Sequence, residues 1–126
     1  MTIRVNERGT FEYKCQLVDE NGDLLVAASL TTLVLTLYDR ATDAIINSRD
    51  EQSVLNANGG TIYSSLQTDA DGNEYNFAWN SEPADSPIVT AGSETEMHVA
   101  LFEWTYGSDA GSHQVYIRVV NINKRP

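Results

Sequence analysis

The sequence predicts an all-β protein, a sandwich or barrel of about seven short strands. Three observations carry this. Apolar residues recur with period two along most of the chain, while helical periodicity is almost absent. Turn signals rich in Gly, Asn and Asp return every ~8–12 residues. Near the end lies a long hairpin, with both arms β-branched and aromatic and a glycine-rich break between them.

Taken in order, Phe11, Tyr13, Cys15 and Leu17 alternate with Thr10, Glu12, Lys14 and Gln16, a half-buried strand. It ends at Asp19-Glu-Asn-Gly22, where glycine supplies a positive φ. Leu24–Ala27 forms a short strand or a bridge. Leu30–Tyr38 is a central strand with Leu33, Leu35 and Leu37 facing the core. Asp39–Asp43 is a turn, and Ala44–Asn47 returns from it. Arg49–Gly60 lacks β patterning. It is expected to cross between sheets with a short helical turn over residues 50–57, Asp50 as its cap and Asn58-Gly59 as its stop. Thr61–Leu66 is a short strand, Asp69–Asn73 a turn, and Glu74–Asn80 a strand with Tyr75, Phe77 and Trp79 on one face. Ser81–Gly92 is a loop with a 3₁₀ turn at Pro83–Asp85. The hairpin then runs from Glu94 to Tyr106, turns over Gly107–Ser112, and returns from His113 to Asn121. Residues 1–122 read as one domain and 123–126 as a frayed tail.

The hairpin's first arm is apolar on both sides. Met97, Val99 and Leu101 share one face; Ala100, Phe102 and Trp104 share the other. One side serves the domain's core, which leaves the other for a partner.

The formal charge is −10, and no Lys or Arg occurs from Asp50 to Ile117. Such a chain repels phosphate backbones and anionic lipid, so neither nucleic acid nor membrane is expected as a partner. The acidic stretch reads as a docking surface for a basic partner or as a solvated face. The opening residues lack the apolar core of a signal peptide, and no apolar run is long enough for a spanning helix. The lone Cys15 has no partner for an internal disulfide and reads as a small buried residue. Synthesis and folding in a cytoplasm are expected.

No catalytic, cofactor or metal site is assigned, and the chain is read as a non-enzyme. Asp69-Ala-Asp-Gly-Asn-Glu74 fails as a calcium loop, because Gln67 and Ala78 stand where ligands should be. Glu94, Glu96 and His98 share a strand face, but alternate side chains lie ~7 Å apart. Two of them could hold an ion only with help from an adjacent strand. The expectation is that His98 pairs with a carboxylate or packs on an aromatic. No serine sits in a nucleophile elbow. Trp79 is expected in the core, whereas Trp104 and Tyr106, near the hairpin tip, are candidates for partner contact.

The strand phrase Leu35-Thr-Leu37, the turn Tyr38–Thr42, the aromatic strand ending in Trp79 and the final Val-rich hairpin resemble small immunoglobulin-like domains of tailed-bacteriophage virions, such as the N-terminal domain of baseplate upper proteins. The segments Leu33–Asn58 and His98–Tyr106 also resemble short proteins of phage structural gene clusters. The resemblance implies an immunoglobulin-like antiparallel β-sandwich. It implies a virion structural protein on the capsid, head–tail junction or tail, in contact with other virion proteins and in many symmetric copies. On this reading Met97, Phe102, Trp104 and Tyr106 are the apolar anchors, and Arg4, Arg8, Lys124 and Arg125 fasten the termini to acidic neighbours. The rival reading is a carbohydrate-binding module for host glycans, which requires coplanar exposed aromatics beside Asp and Asn.

Overall fold

The computed structural model describes residues 2–122, and the expected tail with Lys124 and Arg125 lies outside them. Among the described residues eight strands form in chain order: β1 (Thr2–Asn6), β2 (Glu12–Cys15), β3 (Thr32–Asp39), β4 (Gln52–Ser53), β5 (Gly60–Thr68), β6 (Glu74–Asn80), β7 (Thr95–Tyr106) and β8 (Asp109–Val120). A 3₁₀ turn at Pro83–Asp85 joins β6 to β7. One sheet has the order β1-β8-β7-β3-β4 and the other β2-β6-β5. This is the immunoglobulin-like sandwich: second, fifth and sixth strands in one layer, third, seventh and eighth in the other. Neighbouring strands are antiparallel except β1, which runs parallel to β8.

Alternation fixes which side of each strand is buried. In β3, Leu33, Leu35 and Leu37 are fully buried. They face Phe77 and Trp79 of β6 in the other sheet, and Val115, Ile117 and Val119 of β8 line the same side of their own sheet, all within one core cluster. Phe102 sits among Tyr13, Phe77 and Trp79, with ring centroids 5.5–5.9 Å apart. Phe102 stacks on Tyr13 and meets Phe77 and Trp79 edge-on, and each such pair adds roughly 0.5–1.5 kcal/mol beyond area burial.

The expected helical turn over residues 50–57 does not form. Glu51, Asn56 and Asn58 take positive φ, which a right-handed helix excludes. The segment spends its hydrogen bonds on β3 instead. Val54 N–H donates to Leu33 O (2.9 Å), Glu51 N–H to Thr36 Oγ1 (3.1 Å) and Leu37 N–H to Arg49 O (2.9 Å). The chain then crosses to the other sheet at Gly60, whose Cα leaves no room for a side chain against Val54 O.

The hairpin turn is also tighter than the sequence suggested. Tyr106 pairs with Asp109, so only Gly107 and Ser108 form the loop, and Gly107 takes φ +58°. Gly111 belongs to β8 because Trp104 lies across it: a Cβ there would stand 2.5 Å from the indole nitrogen.

Candidate docking face

The outward face of the five-stranded sheet follows from the same alternation. Rows of side chains run across it, and the pairing register names them. Arg4 of β1 pairs with Arg118 of β8, which pairs with Met97 of β7. Arg40 completes this row just beyond β3, its N–H donating to Met97 O (3.0 Å). The next row is Thr2, Tyr116, Val99 and Tyr38. Then come Gln114, Leu101 and Thr36, followed by Ser112, Glu103 and Val34.

The centre of this face is apolar. Val34, Tyr38, Met97, Leu101 and Tyr116 are half-buried, with one side of each open to solvent. Val99, between the two tyrosines, is 1% exposed. The edge at Arg4, Arg118 and Arg40 is basic. The Arg40 guanidinium lies 5.3 Å from the Tyr116 ring centroid, a cation–π arrangement. Among the described residues, none of these three arginines has a carboxylate within 4.0 Å. Arg4 and Arg118 stand directly opposite each other, where like charges are unfavourable.

Two buried polar networks hold the β6–β7 loop against the sheets. Arg49 and Asp85 are almost wholly buried. The guanidinium donates from Nε to Asp85 Oδ1 and from Nη2 to Oδ2 (3.0 Å), and from Nη1 to Gln52 Oε1 (2.6 Å). It lies over Trp79, 5.2 Å from the ring centroid. Asp85 Oδ2 also accepts the Glu82 N–H (2.7 Å). In the second network Glu96 accepts the N–H groups of Val89 and Thr90, each at 2.7 Å. His98 Nε2 is 2.9 Å from Glu96 Oε1 and 3.8 Å from Asp39 Oδ1. Burial alone would raise the Glu96 carboxyl, but the two backbone donors and His98 outweigh it and hold the group below its usual value.

Asp39, Glu96 and His98 offer ligand atoms within 4.8 Å of one another, the only such trio among the described residues. The adjacent strand thus supplies the third group that the sequence left open. The other imidazole nitrogen argues against an ion. His98 Nδ1 is buried without a partner. With the proton on Nε2, that orphan is a bare lone pair. A metal on Nε2 would move the proton to Nδ1 and bury an N–H with no acceptor, whereas metal-bound histidines donate that N–H to a second group. The expectation that His98 pairs with a carboxylate holds.

The residues singled out in the sequence are dispersed. Met97 and Arg4 sit together in the basic row. Tyr106 lies at the far end of the sheet, half-exposed, its hydroxyl donating to Glu20 Oε2 (2.8 Å). That bond, reinforced by burial and by the nearby Asp109 and Asp19, raises the phenol above its usual value. Arg8 lines a shallow depression with Pro83, Ala84 and Pro87. Phe102 and Trp104 are corrections: both point inward, 1% and 8% exposed, and belong to the core. Their parity on β7 is that of Leu35 and Leu33 across the strand pair, so no outward anchor can be made of them.

The sequence missed Arg40, Arg118, Tyr38 and Tyr116 as surface neighbours. Their spacing in the chain is long, and only the register of β3, β7 and β8 joins them. It also missed Asn76, fully buried, which binds the backbone of Leu17 and Leu25 and ties that loop to β6.

No family model, curated protein or solved structure matches the chain.

Proposed function

We propose that the chain is a non-enzymatic virion structural protein of a tailed bacteriophage, which docks on capsid, head–tail junction or tail proteins through the outward face of its larger sheet. The observation that carries the reading is the composition of that face. Tyr38, Met97, Leu101 and Tyr116 open to solvent beside three arginines that have no carboxylate partner among the described residues. Aromatic and arginine groups around an apolar centre are what protein interfaces enrich. The resemblance of Leu33–Asn58 and His98–Tyr106 to phage structural proteins supports the rest of the reading: a protein made in the host cytoplasm and carried in the virion as a symmetric homo-oligomer.

The glycan-binding alternative has less support. It needs flat exposed rings, but Trp79 and Trp104 are inside, and Tyr63 and Tyr75 meet at 84° rather than side by side.

The test is co-sedimentation with gradient-purified phage particles that carry the gene. The wild-type chain should band with particles in fixed stoichiometry. Leu101→Asp, at the centre of the face, should not, while keeping the wild-type melting temperature within a few degrees. A chain absent from particles, or a Leu101→Asp variant that incorporates normally, overturns the proposal.

A further inference from the structure

The docking face is electrically polarised along its length, and the geometry points to one occupant for its basic end: the acidic hairpin-tip end of a second copy of this chain, stacked head to tail. The inference rests on the docking-face reading and names the partner. At one end, the row Arg4, Arg118, Met97 and Arg40 places three exposed guanidinium groups around a thioether. From Met97 to Tyr106 strand β7 then runs about 30 Å, at ~3.4 Å per residue. At its far end exposed Glu20 and Asp109 and half-buried Asp19 act on Tyr106, and exposed Asp23 closes the Asp19–Asp23 turn. The Tyr106–Glu20 bond fixes the Asp19–Asp23 turn against the tip.

Charge complementarity selects this pairing. With a net charge of −10, two copies repel through most of their surfaces. The arginine row is where an acidic copy is attracted, and the tip is where it can offer several carboxylates at once. Arg4 and Arg118, opposed with no ion-pair partner among the described residues, gain one on contact. Bidentate arginine–carboxylate bonds are the strong form of such contacts. Met97 on the row and Tyr106 at the tip supply the apolar part. Because the two surfaces differ, the contact is heterologous and repeats: it builds a ring if the rotation closes and a filament if it does not. At ~0.15 M salt the Debye length is about 8 Å. Repulsion between distant charges is then screened, and close guanidinium–carboxylate pairs persist.

Sedimentation velocity on the full chain at 0.15 M salt tests this with complementary charge reversals. One variant carries Arg40→Glu and Arg118→Glu; the other carries Glu20→Lys and Asp23→Lys. All four positions are exposed, and circular dichroism melts check each fold. Wild type should associate with rising concentration. Each variant alone should associate at least about tenfold more weakly, because its two ends then carry like charge. An equimolar mixture should recover assembly, because each variant's altered end complements the other's. Wild type that stays monomeric at millimolar concentration, variants that associate like wild type, or a mixture that does not recover, each overturns the proposal. Binding of a fluorescent oligonucleotide that is lost on reversing the arginines, without self-association, would also overturn it by assigning the row to a polyanion. If Leu101→Asp still abolishes particle incorporation when self-association is absent, the docking face stands and only the partner is wrong.

Discussion

Replacing Arg49 by Met should be the most damaging single exchange of a charged residue. Its partner Asp85 is fully buried, and the guanidinium is the only cation bound to it among the described residues. Arg49→Met removes both hydrogen bonds and the counter-charge, and leaves the Asp85 carboxylate only two neutral donors, Asn47 Nδ2 and the Glu82 N–H. Breaking a buried pair from one side costs about 3–5 kcal/mol. The lost bond to Gln52 Oε1 and the lost contact with Trp79 act in the same direction. Domains of this size are stable by about 5–15 kcal/mol, so the variant should stay folded at 25 °C with a much reduced margin. At roughly 3–6 °C per kcal/mol, the melting temperature should fall by ~10–25 °C. Adding Asp85→Asn removes the charge while keeping an acceptor for the Glu82 N–H, and should recover about 2 kcal/mol. Urea titration reads both effects as midpoint changes at constant slope. An Arg49→Met loss below ~1 kcal/mol, or a double variant as unstable as the sum of its parts, would refute the reasoning.

Other exchanges probe separate parts of the account. Burial pushes the Cys15 thiol up to about 11, from an ordinary value of 9.0. Its native thiolate fraction at pH 8 should therefore be about a hundredfold below that of the urea-unfolded chain, and Ellman's reagent should react correspondingly slowly. Glu96→Gln places an amide where Val89 and Thr90 both donate, and should cost about 1–3 kcal/mol near pH 7 by urea titration. Because the folded Glu96 carboxyl lies below its unfolded value, its contribution is present above the ordinary glutamate range. That contribution should fade as pH falls through the depressed folded value, and the gap between wild type and Glu96→Gln should narrow with it. Gly111→Ala drives a methyl into the Trp104 indole and should destabilise by about 1–3 kcal/mol, with a shift in tryptophan fluorescence as the ring moves.

Much of the fold was legible because period-two alternation survives where one face is buried. The leucines of β3 and the aromatics of β6 declared their faces directly, and the 3₁₀ turn at Pro83–Asp85 was marked by proline. β1 was not read as a strand. Its alternation of Ile3 and Val5 is short, and its parallel partner lies at the other end of the sequence. Residues 50–57 misled because Asp50 and Asn58-Gly59 imitate helix caps. The deciding fact was non-local: β3 had an open edge, and this segment filled it.

The site was half legible. The double apolar pattern of the β7 arm correctly placed apolar groups on both faces of the strand, and its parity named Met97 and Leu101 as neighbours. Which parity faced outward depended on β3, whose leucines claim the inside and draw Phe102 and Trp104 with them. Proximity to the hairpin tip was a poor guide to exposure, since Gly111 lets the Trp104 ring fold down onto β8. The arginine row was invisible to composition, because its members are scattered from position 4 to position 118 and only strand pairing collects them.

A density map of the assembled phage particle bears most directly on the central claim. The account predicts a two-layered β domain present in repeated copies, with Tyr38, Leu101 and Tyr116 turned onto a neighbouring subunit. Particles that lack this density, or that carry it with those side chains facing bulk solvent, would contradict it.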